Sequence, residues 1–115
     1  AKRANKIAPT IVGGSKKHGG PDLGPTRAKK AWADLGVNGT TIAEHAPQRG
    51  QNEMPRLTVP MVARLQGFPD DWQFHGRKTN AYRQVGNAFP PPVARVVAER
   101  IALALDVISN ERNVA

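Results

Sequence analysis

Ser15, Lys16, Lys17 and His18 stand inside GGSKKHGGPDLGP, a stretch with five glycines and two prolines among thirteen residues. That composition predicts a loop. A flexible backbone carrying a hydroxyl, two ammonium groups and an imidazole could approach phosphates or base edges. The same composition fits an ordinary surface loop equally well. Farther along, between Arg56 and Ala94, lie two punctuated blocks: Leu65-Gln66-Gly67-Phe68-Pro69-Asp70 and Arg83-Gln84-Val85-Gly86-Asn87-Ala88-Phe89-Pro90-Pro91.

Several chemistries are excluded by residue type. The 115-residue chain has no cysteine, so it offers no thiolate nucleophile, disulfide or cysteine metal site. His18, His45 and His75 are scattered, without ligand spacing, and no structural or catalytic zinc is expected. No run of about 18 apolar residues predicts a membrane span. The start, AKRANKIAPT, lacks the apolar core of a signal peptide, and a cytoplasmic setting is expected.

Net charge is +8 and is unevenly placed. Residues 1–30 hold eight of the 17 basic residues and only Asp22 as an acid, whereas residues 31–115 are close to neutral. A basic N-terminal region predicts a polyanion as partner, although a solvated basic surface has the same composition.

Few elements are available to position these residues. KIAPTIV (6–12) reads as a short extended segment, and Pro9 places it at a sheet edge. Thr26–Gly36 reads as a helix, with Thr26 as its cap and Gly36 closing it. Ala28, Ala31, Trp32 and Leu35 fall on one apolar face, which makes Trp32 core. Arg27, Lys29 and Lys30 lie off that face, free for solvent or phosphate. Asn38-Gly39 predicts a turn, TTIAEHAP one helical turn before Pro47, and residues 47–55 a connector.

Thr58 is the expected N-cap of a short helix from Val59 to Gln66, ended by Gly67, with Pro60 tolerated in its first turn. Val62, Leu65 and Met61 are expected to face inward. Phe68–Trp72 reads as a turn anchored on the core by its two aromatics. Thr79 is expected to cap a helix over Asn80–Val85, closed by Gly86. Pro90-Pro91-Pro92 then starts a long helix whose stripe Val93, Val97, Ile101, Leu105 and Ile108 keeps helical spacing. The earlier segments are too short to cover that stripe, so part of it is expected to dock on another domain or chain.

Taken in order, these residues resemble a known family. Arg56-Leu57-Thr58 followed by Ala63-Arg64-Leu65-Gln66-Gly67-Phe68-Pro69-Asp70 resembles the ninth conserved motif of DNA cytosine-5 methyltransferases. Tyr82-Arg83-Gln84-Val85-Gly86-Asn87-Ala88 with Pro90-Pro91 resembles the tenth. The resemblance covers about residues 56–105, and residues 10–50 are similar to part of the family's variable target-recognition region. Pro60-Met61 departs from an Arg-Glu pair usual in the ninth motif, and Phe89 stands where valine is commoner.

The resemblance implies methyl transfer from S-adenosylmethionine to carbon 5 of cytosine in duplex DNA, on a base flipped out of the stack and attacked by a cysteine thiolate. The thiolate and its partner acid belong to motifs that this chain does not hold. The fold class so implied is α+β, mainly helical with little strand: a C-terminal fragment of a class I S-adenosylmethionine-dependent methyltransferase, comprising part of the small recognition domain and the closing helix of the catalytic domain.

Residues 1–55 would belong to the target-recognition region and residues 56–115 to the segment of the ninth and tenth motifs. Asn87, Ala88 and Phe89 would help wall the cofactor pocket, where asparagine offers donor and acceptor together and Gly86 lets backbone approach a ligand. A local backbone latch is the other reading of Asn87. Ser15, Lys16, Lys17, His18, Arg27 and Lys30 would contact double-stranded DNA.

Three functions fit these expectations. One is the C-terminal portion or subunit of a restriction-modification methyltransferase, inactive without a complementary catalytic part. Another is an autonomous, non-catalytic DNA-binding module. The third is a remnant that dimerises through its last helix.

Overall fold

The structure, a computed structural model, describes residues 3–14 and 20–114. Four helices follow one another: α1 (Thr26–Asp34), α2 (Val59–Gln66), α3 (Lys78–Asn87) and α4 (Pro91–Val114). The chain is mainly helical, and among the described residues there is no strand, only an isolated parallel bridge between Ala43 and Thr58. The expected edge strand at 6–12 is absent. Ile11 is buried but Ile7 is almost fully exposed, and with no partner strand the segment stays irregular. The helical turn expected in TTIAEHAP is absent too; Ile42 is buried from a bend, and the Ala43 N–H donates to the Leu57 carbonyl at 2.9 Å.

Helix ends follow from local chemistry. After α1, the Gly36 N–H donates to Ala33 and the Val37 N–H to Trp32, both at 2.9 Å, the paired bonds of a Schellman ending. Gly36 (φ 80°) supplies the left-handed residue that this ending requires. Gly67 (φ 84°) does the same for α2. At the start of α2, the Thr58 hydroxyl accepts from the Met61 N–H at 3.4 Å, and Met61 Sδ accepts from the Thr58 N–H at 3.5 Å. The expected caps at Thr26 and Thr79 are not formed. Pro25 and Arg77 hold the cap positions of α1 and α3 with no side-chain bond, and both threonines lie inside the helices.

One core joins both halves of the chain. Ile11, Leu23, Trp32 and Ile42 pack with Val62, Ala63, Tyr82 and Val85. Leu65, expected to face inward, is 51% exposed, because α2 shows the core only its Val62–Ala63 side. Trp72 does not anchor its turn on the core either. It is exposed and packs on Phe68 with ring centroids 5.7 Å apart, while Phe68 and Phe74 meet each other edge-to-face and pack against the core.

Helix α4 contributes no buried side chain among the described residues. Its start rests on α2, where Pro92 lies so close to Gly67 that an added Cβ would be 2.7 Å from its ring. The remainder projects outward, and 24 residues at 1.5 Å each make an arm of about 36 Å in a molecule 69 Å long.

Candidate functional site: the end of helix α3 and the limb that crosses it

Helix α3 organises the site through two residues one turn apart on the same face, Tyr82 and Gly86. Tyr82 is fully buried. Its hydroxyl lies 2.8 Å from the carbonyl oxygens of both Val12 and Asp22, and its single proton is shared between them. Burial first, and the nearby Asp22 carboxylate second, push the phenol up to about 12, so it remains a donor across the neutral range.

Gly86 was expected to close its helix. Instead it lies within α3, and its function is close approach. A Cβ there would lie 2.5 Å from Gly13 Cα and 2.6 Å from the Val12 carbonyl carbon. The facing glycine is equally constrained, since a Cβ on Gly13 would fall 2.1 Å from Asn87 Oδ1. Limb 11–14 and the last turn of α3 therefore cross backbone on backbone.

Beyond this crossing the helix stops at Asn87. Ala88 turns extended (φ −71°, ψ 142°), and its N–H donates to Gln84 at 3.1 Å. The Gln66 carboxamide, from α2, donates to the Val85 carbonyl at 3.3 Å and lies 3.5 Å from that of Ala88. Of the three residues expected to face a cofactor, Asn87 is exposed, Ala88 half-buried and Phe89 61% exposed. Among the described residues the Asn87 side chain makes no hydrogen bond; its carboxamide lies against Gly13.

The residues expected to touch DNA are placed less completely. Ser15, Lys16, Lys17 and His18 lie outside the described residues. The limbs on either side of them are described, and Tyr82 holds both. Arg27 and Lys30 are exposed on α1. Lys29, expected to be free, is paired instead, with Nζ 2.6 Å from the Asp22 carboxylate. Asp22 also accepts from the Gly24 N–H at 3.0 Å. Between these groups lies a cavity of about 670 Å³, lined by Gly13, Asp22, Thr26 and Lys29 among others. Among the described residues no group of three or more His, Cys, Asp or Glu could hold a metal, and no helix is long and apolar enough to cross a membrane.

Tyr82 is the positional residue that sequence reasoning did not single out. A signal was available: it is the only tyrosine in the chain and stands one turn before Gly86.

Comparison with known proteins bears on these features. The family model for C-5 cytosine-specific DNA methylase matches residues 4–103. The Type II methyltransferase M.NaeI of Lentzea aerocolonigenes is 59% identical across 98% of this chain, which covers 28% of that relative's length. M.NgoMIV of Neisseria gonorrhoeae is 71% identical across 45% of the chain and 17% of its own length. M.XorII of Xanthomonas oryzae pv. oryzae is 37% identical across 73% of the chain and 22% of its own length. No solved structure matches. The chain thus spans under a third of these curated relatives. The family match takes in both the 11–14 limb and the α3 end that it crosses, and with it the chain belongs to the C-5 cytosine-specific DNA methylase family.

Proposed function

We propose that this chain acts as the C-terminal portion or subunit of a DNA cytosine-5 methyltransferase, contributing target recognition and one wall of the S-adenosylmethionine pocket, and is inactive alone. The observation that carries this reading is α4. Val93, Val97, Ile101, Leu105 and Ile108 keep one stripe along the helix, yet each is 46–58% exposed. An exposed apolar face of that length marks an interaction site, and family membership favours a complementary catalytic domain or subunit as its cover. The lack of any cysteine agrees, since the reaction needs a thiolate nucleophile that must come from that partner.

Residues 1–55 serve recognition and residues 56–115 connect it to the cofactor side. Asn87, Ala88 and Phe89 fit a cofactor wall. The Asn87 carboxamide can donate and accept, and Phe89 presents an exposed aromatic face. S-adenosylmethionine, when bound, supplies the methyl group. Duplex DNA meets Ser15–His18, Arg27 and Lys30, in a cytoplasmic setting.

In the assembled enzyme, Asn87→Ala should raise the dissociation constant of S-adenosylmethionine; an unchanged constant would remove this residue from the pocket. The second reading, an autonomous DNA-binding module, is favoured by the basic residues 1–30. It requires the isolated chain to bind duplex DNA at low salt and to lose it steeply as salt rises.

A further inference from the structure

The stretch expected to meet DNA leaves the core at Val12 and returns at Asp22. Those two points belong to different limbs, ten residues apart in sequence. One hydroxyl bonds to both, and the returning limb is tied besides by the Ile42 N–H to the Pro21 carbonyl and by the Leu23 N–H to the Gly39 carbonyl, each at 3.0 Å. Tyr82 Oη stands 2.8 Å from each carbonyl, and its ring is fully buried in the common core. The rest of the support is backbone: Gly86, one turn later on the same face, lets limb 11–14 lie directly on α3, with the Asn87 side chain against Gly13. The Lys29–Asp22 ion pair fixes the returning limb to α1 from its other side.

We propose that Tyr82 is a positioning residue for DNA recognition: its hydroxyl sets the two roots of the 13–21 connection from the same helix whose end faces the cofactor. The inference rests on the reading of residues 15–18 as DNA-contacting. It adds that the limbs flanking them are held by a residue of the tenth motif and not by the recognition region alone. Tyr82 touches neither DNA nor cofactor in this account; it acts through the limbs.

Tyr82→Phe keeps the ring and removes only the shared donor. In the methyltransferase assembled from this chain and its catalytic complement, it should raise the KM and the dissociation constant for duplex DNA by about three- to ten-fold, the range one net hydrogen bond provides. The kcat and the S-adenosylmethionine dissociation constant should stay within about two-fold on the same argument. Val85→Ala serves as the control for softening of the core, because it weakens packing on the same helix without touching the hydroxyl.

An unchanged DNA constant in Tyr82→Phe overturns the inference, as does an equal rise in Val85→Ala at matched loss of melting temperature. Lys16→Ala with Lys17→Ala separates the two levels. If that pair weakens DNA binding while Tyr82→Phe does not, the positioning role alone falls; if neither does, the loop reading falls with it.

Discussion

Gly86 and Gly13 meet backbone to backbone: a Cβ on Gly86 would lie 2.5 Å from the Gly13 Cα and 2.6 Å from its nitrogen. A helix interior ordinarily favours alanine over glycine by about 1 kcal/mol. Here the contact dominates, because backbone cannot swing aside as a flexible side chain can. Gly86→Ala should therefore destabilise the chain by about 1–3 kcal/mol in spite of alanine's helix preference. Denaturant midpoints check it, and a stabilised variant would show that the two segments do not cross closely.

Tyr82 gives a pH signature that is easy to assign, since it is the only tyrosine. Its phenol is held up to about 12 in the folded chain against an ordinary 10.0. Below pH 10 both folded and unfolded forms are protonated, and stability is independent of this group. Between 10 and 12 the unfolded chain has lost the proton and the folded chain has not, so stability falls as pH rises, by about 1.4 kcal/mol per unit. The near-ultraviolet tyrosinate signal should appear near 12 under native conditions and near 10 in denaturant. Coincident titrations would mean that the hydroxyl is not buried on its two carbonyls.

Met61 occupies the third position of α2, facing the Thr58 cap, where the motif usually carries glutamate. Its thioether accepts from the Thr58 N–H at 3.5 Å, a weak bond. Met61→Glu would provide a carboxylate acceptor and an acidic group in a first turn that has none. It should stabilise the chain by about 0.5–1 kcal/mol in thermal or denaturant unfolding. A loss of stability would show that Met61's packing outweighs its capping role.

Val97 and Ile101 are 47% and 56% exposed on α4. Replacing both with aspartate should leave the folding of residues 3–90 unchanged in far-ultraviolet circular dichroism and unfolding midpoint. The same change should abolish association with the catalytic complement in a pull-down, because a buried apolar face does not tolerate unpaired charge. Retained association would place the interface elsewhere.

Much of this architecture is legible in the sequence where the cause is local. Gly36 and Gly67 announce left-handed helix endings, Thr58 a cap, and Val93–Ile108 a stripe; each depends on neighbours within a few residues. The misreadings arise where the cause is distant. Gly86 resembles a helix stop, and only the crossing with Gly13 shows that it is needed for contact. Residues 6–12 look extended, but a strand requires a partner and none of the described residues forms one. Trp72 carries enough apolar surface for a core position and still lies 56% exposed, packed on Phe68 at the molecule's edge. For the site, Asn87, Ala88 and Phe89 are picked out only through the motif's resemblance, while the holding of both limbs by Tyr82 depends on contacts 60 and 70 residues apart.

The most direct test of the account is methyl transfer by a reassembled enzyme. The chain would be combined, mixed or joined, with the part of M.NaeI that it does not match, and transfer from S-adenosylmethionine to carbon 5 of cytosine in duplex DNA measured. The account predicts transfer by the combination and none by either part alone. Transfer by the isolated chain, or no transfer by the combination in either form, would contradict it.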